Sequence, residues 1–303
     1  MFDHLESKYI DVNGIKTHYI DEGEGDNIVV LIHGGGAGAD GKGNFSTNVP
    51  FYNKAGMRVI CPDMVGYGRS DKPNPEEFSY TQEARAEHIA AFIEALGVGP
   101  VNLVGNSMGG AAACGATLLR PDLVKSLVLM GAAIKIDHAE MVAAQDDNAV
   151  HKYDGTREGM LRTIKALTHS YEPADELVDY RQELATAPGT MEAFIAAMKL
   201  AFNNGLYYSG EELGSLKPPV MIITGRDDIM VPQRMMIQAM QEIPHAWGVF
   251  MPDCGHWVMI EYPEEFCNLT MQFFEVSAKA YCDGCPASAS RGRRHQGLDA
   301  VAE

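Results

Sequence analysis

Gly105-Asn106-Ser107-Met108-Gly109-Gly110 lies between an apolar run, residues 101–104, and the alanine-rich stretch 111–119. The order is strand, sharp turn, helix. Small residues around the serine let the chain reverse tightly and hold a hydroxyl above the carboxyl end of a sheet, the arrangement of a nucleophile elbow. A Gly-x-Ser-x-Gly match also arises by chance. Its meaning therefore depends on what the rest of the chain brings beside Ser107.

The chain has 303 residues and is 46% apolar, enough to bury a sizeable core. That length is close to where one core stops growing, so a single domain carrying an inserted subdomain is expected. No apolar run approaches the ~20 residues of a membrane span. The first twelve residues include Asp3, His4, Glu6 and Lys8 with no apolar stretch, so no secretory signal is visible and a cytoplasmic location is expected. The formal net charge of -17 repels polyanions and argues against nucleic acid or an anionic membrane surface as partner. Six cysteines in such a chain read as reduced thiols. Cys282-Asp283-Gly284-Cys285 is a C-x-x-C pair, but it has neither a second pair to complete a metal site nor a following helix pattern.

Outward from the elbow, strand and helix signals alternate. Residues 8–12 and 15–21 flank Asn13-Gly14, a strong hairpin signal. Residues 27–32 form a continuous apolar run, as in a strand buried on both faces of a parallel sheet. This run ends at His33-Gly34-Gly35-Gly36, where glycine lets backbone N–H groups approach a ligand oxygen. Gly35 N–H and Met108 N–H are the expected oxyanion donors. Further strands are expected over 57–61, 126–130, 219–224 and 247–251, and helices over 80–97, 234–242 and 263–274. His88, within the first of these helices, reads as a surface or packing residue, and Met235, Met236 and Met240 as core filler. Between 133 and 213 no strand is legible, only helical pieces such as 156–167 and 191–203. This segment reads as a helical cap over the sheet's carboxyl edge, where it would exclude water. The expected organisation is a core of 1–132 and 214–276, a cap of 133–213 and a disordered tail of 277–303, whose cluster Arg291-Gly292-Arg293-Arg294-His295 reads as part of that extension.

Ser107, an acid in Gly225-Arg226-Asp227-Asp228 after a late strand, and His256 after the last strand follow the Ser…Asp…His order of α/β-hydrolases. The fold class is therefore α/β: an α/β-hydrolase fold with a mostly parallel central sheet, helices on both faces and the inserted cap. His256 would take the Ser107 proton, and Asp228 would fix the imidazole. Asp227 is the rival acid, and spacing alone does not choose between them.

The chain resembles the meta-cleavage product hydrolases, serine α/β-hydrolases that cut carbon–carbon bonds in ring-opened aromatic compounds. The likeness runs over about residues 12–274. It rests on His33-Gly34-Gly35-Gly36-Ala37-Gly38-Ala39 followed by Asn44, on the elbow, on Gly225-Arg226-Asp227-Asp228 and on Cys254-Gly255-His256-Trp257. The resemblance implies that Asp228 is the triad acid and that Gly36, Asn44, Asn106, Arg181 and Trp257 hold or polarise a dienoate. A planar guanidinium from the cap suits a carboxylate, which it can grip with two hydrogen bonds. The resemblance further implies hydrolysis of a 2-hydroxy-6-oxo-6-arylhexa-2,4-dienoate with no metal or organic cofactor, in a homo-oligomer of dimer size or higher. Segment 153–160 is most similar to the hydrolases of carbazole and related bicyclic-aromatic pathways. Ala37 and Lys42 depart from the pattern, since many relatives have proline and an aromatic there, and they bear on the loop shape and the aryl end of the pocket. The rival readings are a carboxylesterase, which has no need of the carboxylate-reading set, and a ligand-binding receptor on the same fold.

Overall fold

Asn13 and Gly14 both adopt positive φ (55° and 86°), closing the hairpin of β1 (Ser7–Val12) and β2 (Ile15–Glu22) as their turn preference requires. The structure, a computed structural model, describes residues 5–140 and 153–282. The hairpin leads one eight-stranded sheet of order β1-β2-β4-β3-β5-β6-β9-β10. The remaining strands are β3 (Ile28–Ile32), β4 (Arg58–Pro62), β5 (Val101–Asn106), β6 (Val124–Met130), β9 (Val220–Gly225) and β10 (Trp247–Met251). From β4 to β10 all neighbours run parallel; the β1–β2 and β2–β4 pairings are antiparallel, so β2 alone runs against the rest.

Every residue of β3, β5 and β9 is buried. Alternation along these strands feeds two cores. Val30, Ile32, Leu103, Leu129 and Ile222 face the core under α3 (Gln82–Ala95) and α4 (Met108–Leu119). Val29, Leu31, Val104, Val128 and Ile223 face the core holding Tyr52 of α2 (Val49–Lys54) and Phe266 of α11 (Pro263–Cys282). A strand covered on both faces needs no polar alternation, which is why these segments read as continuous apolar runs. Parallel order places all their carboxyl ends on one edge, with the loops that carry chemistry.

Between β6 and β9 the described chain contains α5 (Arg157–Ala166), α6 (Asp175–Ala185), α7 (Thr190–Asn204) and α8 (Gly210–Gly214). It also contains two strands that were not expected: β7 (Lys135–Ile136) pairs antiparallel with β8 (Leu206–Tyr207). Two residues each are too few to register a period of two in sequence. Two short helices, α1 (Gly41–Phe45) and α2, follow β3, and a four-residue α10 (Val258–Glu261) follows His256. The expected tail boundary at 277 is corrected, because α11 continues to Cys282 and Ser277 is buried. The remainder of the tail, its basic cluster and Cys285 lie outside the described residues. No helix among the described residues is long and apolar enough to cross a membrane.

His88 is buried, with Nε2 3.1 Å from Thr17 Oγ1, and burial pushes its pKa down to about 4. It packs as a neutral imidazole. Met235 and Met236 are buried in the first core, and Met240 packs against it. Phe92 is fully buried there, edge-on to Tyr19 with ring centroids 5.5 Å apart. Phe92→Ala is expected to cost about 3–5 kcal/mol of stability, read from urea unfolding.

Candidate active site

Ser107 sits at φ 55° and ψ -122°, between the last residue of β5 and the first of α4. A non-glycine residue there is strained, by about 1–3 kcal/mol, and persists only when its surroundings fix it. Three hydrogen bonds do so: Ser107 N donates to Met130 O (3.1 Å), while Ala111 N (3.1 Å) and Ala133 N (3.0 Å) donate to Ser107 O. The flanking glycines are sterically required. A Cβ at Gly105 would lie 2.6 Å from Gly110 Cα, and one at Gly109 would lie 2.7 Å from Ile32 O.

At the end of β9, Asp228 Oδ1 accepts from Met230 N (2.8 Å) and Val231 N (2.9 Å), which orients the carboxylate. Its Oδ2 lies 2.8 Å from His256 Nδ1, and both residues are buried. Asp227 is exposed and contributes its backbone N–H to Cys254 O (2.9 Å) instead. The geometry thus separates the two acids that spacing left equivalent. His256 lines the same pocket as Ser107, with no hydrogen bond between the two side chains. Contacts between nucleophile and base commonly tighten only with substrate bound.

Gly35 and Met108 reach the pocket beside Ser107. Met108 is the first residue of α4, where a backbone N–H has no intrahelical acceptor. The Gly34-Gly35 peptide is held by His33, whose ring has two different partners. Nε2 accepts from Met64 N (2.9 Å), so Nδ1 carries the proton and donates to Gly34 O (2.7 Å). Burial pushes the His33 pKa down to about 4, which keeps the ring neutral and this tautomer fixed. In a trans peptide the C=O and N–H point opposite ways. Anchoring Gly34 O therefore aims Gly35 N–H away from His33.

The pocket has about 770 Å³ of empty space, part of it open to solvent. One end is polar. Arg181, fully buried on α6, donates through Nη1 to Asn44 Oδ1 (3.1 Å) and through Nη2 to Ala37 O (3.1 Å), and its guanidinium lies 4.9 Å from the Trp257 ring centroid. Its Nε has no partner, and no carboxylate among the described residues pairs with it. Burial lowers its pKa to about 10, a fall opposed by Asp40 and Tyr180, so the cation persists at neutral pH. Asn106 donates to Met130 O (3.2 Å), and its buried Oδ1 is unpaired. Apolar side chains complete the lining: Ala133, Ile136, Leu167, Met198, Leu206 and Met230.

The α/β hydrolase fold family matches residues 27–263. The 2-hydroxy-6-oxo-6-(2'-aminophenyl)hexa-2,4-dienoic acid hydrolase of Metapseudomonas resinovorans is 38% identical over 274 residues, 89% of this chain and 91% of that protein. The 2-hydroxy-6-oxo-2,4-heptadienoate hydrolase of Pseudomonas putida is 33% identical, over 86% of this chain and 93% of its own. The solved structure of a meta-cleavage product hydrolase from Pseudomonas fluorescens IP01 aligns with a TM-score of 0.79 at 32% identity, covering 89% of this chain and 97% of that one. The chain belongs to the meta-cleavage product hydrolases, within the α/β-hydrolase fold family.

In this hydrolase Gly35, Gly36, Asn44, Asn106, Ser107, Met108, Arg181, His256 and Trp257 all line one pocket, with Asp228 directly behind His256. The two departures from the family pattern have separate outcomes. Lys42 does not line the pocket; it is buried, and its Nζ donates to Leu5 O (2.7 Å). Ala37 contributes only its carbonyl to Arg181, which a proline would also supply. The apolar wall was not read from sequence, because its residues are scattered between positions 133 and 230 with no shared pattern.

Gly131 was also missed, since a lone glycine after a strand carries no signal of its own. Its φ is +48°, and a Cβ there would lie 3.0 Å from His256 Nδ1 and 3.1 Å from Asp228 Oδ2. Gly131→Ala is expected to lower kcat by about 100-fold, as small misplacements at a catalytic pair do. The left-handed backbone adds a stability loss of about 1–2 kcal/mol. Steady-state kinetics and a thermal melt on the same preparation check both.

Proposed function

We propose that this hydrolase cleaves a 2-hydroxy-6-oxo-6-arylhexa-2,4-dienoate to an aromatic acid and 2-hydroxypenta-2,4-dienoate, using Ser107 as nucleophile, His256 as acid and base, and Asp228 as the residue that orients His256. The observation that carries the reading is Arg181: a fully buried cation with no carboxylate partner among the described residues, in the same pocket as the serine. A buried charge without a counter-charge is costly. A substrate carboxylate offsets that cost and is held bidentately. An ordinary ester brings its own leaving group and no such anion, so an ester hydrolase has no use for this end of the pocket.

Carbon is a poor leaving group, and the reaction has to supply somewhere for its electrons to go. The dienol first ketonises: the C2 hydroxyl proton is lost and a proton is gained at C5. Ser107 Oγ then adds to the C6 ketone while its proton passes to His256, and Gly35 and Met108 N–H groups hold the new oxyanion. One such donor contributes about 3 kcal/mol. Collapse of the adduct breaks the C5–C6 bond, and its electron pair flows through the C3–C4 alkene to the C2 carbonyl. Protonation then gives the enol product. One water, deprotonated by His256, adds to the Ser107 ester and releases the aromatic acid, so the sum is substrate plus water. Arg181 and Asn44 grip the carboxylate, which fixes C6 over Ser107, and Trp257 covers the guanidinium. The apolar lining accepts the C6 aryl group.

Ser107→Ala is expected to lower kcat on a ring-opened 6-phenyl dienoate by at least about 10³-fold, followed as loss of visible absorbance. Asp228→Asn should cost about 10⁴-fold by stabilising the wrong imidazole tautomer. Asp227→Asn should change kcat less than about threefold, because an exposed charge outside the pair contributes little.

A further inference from the structure

Arg181 is aimed by the residue beside it. Tyr180, one position earlier on α6, donates its hydroxyl to Asp40 Oδ2 (2.5 Å) and accepts from Arg69 Nη1 (2.8 Å). The Arg69 guanidinium also lies 3.7 Å from Asp40 Oδ2 and 5.4 Å from the Tyr180 ring centroid. Asp40 is fully buried, and its other oxygen accepts from Gly43 N (2.7 Å), capping α1, the short helix that carries Asn44. One carboxylate thus joins the two elements whose side chains form the Asn44–Arg181 pair.

The seat is close-fitting on both sides. A Cβ at Gly43 would lie 3.2 Å from the Tyr180 ring, and Gly38, at φ +67°, leaves no room for a Cβ against the Arg181 carbonyl. Successive helix residues project about 100° apart around the axis. Holding Tyr180 on Asp40 therefore fixes the rotation of α6, and with it the direction of Arg181. Asp40 is anchored in turn. Beside it, Asp63 accepts from Gly41 N (2.9 Å), Arg69 N (2.8 Å) and His18 Nδ1 (2.8 Å), so Arg69 ties the core acid through its backbone and the cap tyrosine through its side chain. Neither Asp40 nor Tyr180 lines the pocket.

We propose that Asp40 and Tyr180 are positioning residues for the substrate carboxylate: their hydrogen bond locks cap helix α6 to the loop after β3 so that Arg181 meets Asn44 at the polar end of the pocket. The proposal rests on the dienoate reading above. It assigns to a core–cap contact, outside the pocket wall, the control of affinity for the anionic end of the substrate. Attack at Ser107 itself does not depend on it.

Tyr180→Phe keeps the ring and removes only the hydroxyl, and Asp40→Asn keeps the cap of α1 while removing the charge. Each is measured on the 6-phenyl dienoate and, separately, by the rate of inactivation with phenylmethylsulfonyl fluoride, which reads Ser107 reactivity without a carboxylate. The expected result is KM raised about tenfold, the loss of one hydrogen bond to a charged group, with kcat within about threefold and the inactivation rate within about twofold. In an Arg181→Gln background, Tyr180→Phe should raise KM by less than about twofold, since both changes remove the same contact. An unchanged KM, a parallel fall in turnover and inactivation, or additive effects with Arg181→Gln would each overturn the proposal. If Asp40→Asn does not fold, Tyr180→Phe decides alone. A parent protein that reacts with the sulfonyl fluoride and leaves the dienoate untouched overturns the functional reading, and the positioning role with it.

Discussion

The geometry of the pocket depends on one steric constraint: the N-terminus of α4 must approach the ends of β3 and β5 closely for the chain to turn at Ser107. Gly105 and Gly109 make that approach possible, because a methyl group at either position would meet backbone atoms. The strained backbone at Ser107 is then held by hydrogen bonds to and from β6 and the residues after it. From this turn the other parts follow. Met108 lines the pocket as the first residue of a helix, His256 comes from the loop after the edge strand β10, and Gly131 leaves space for the His256–Asp228 pair.

A second constraint acts through charge. Arg181 is buried with neutral partners only, Asn44 and the Ala37 carbonyl, and it stacks over Trp257. Its buried Nε is left without a partner. Asp40 and Asp63 are buried nearby but their oxygens accept from Tyr180, His18 and backbone N–H groups, so the Asp40 charge reaches Arg181 through space and not through a hydrogen bond. Burial and the charge of Asp63 raise the Asp40 pKa, while the donors around Asp40 oppose that rise. Helix α6 thereby contributes a buried charge to the pocket wall through Arg181.

Legibility in the sequence tracked the length of each signal. The five-residue run of β3 and the Asn13-Gly14 turn were plain, because burial on both faces and positive φ each impose a residue type. The two-residue strands β7 and β8 left no period to read. The end of α11 was placed too early because apolar periodicity fades before the helix does. Within the site, residues in motifs were found and residues in walls were not. Met198 and Met230 are ordinary apolar side chains until the fold turns them into one pocket.

The sequence by itself determined the eight strands of the main sheet and its longer flanking helices, the serine at a forced turn, the histidine and an acidic pair after late strands, and the family these motifs resemble. Those features are local, set by glycine sterics and by burial pattern, so a linear string contains them. Only the tertiary structure decided between Asp227 and Asp228, fixed the His33 tautomer behind Gly35, and brought Tyr180, Asp40 and Arg69 together around α6. These depend on direction and distance between segments up to about 140 residues apart, as Tyr180 and Asp40 are. Side-chain direction across such a gap is a property of packing, which no spacing in the chain encodes.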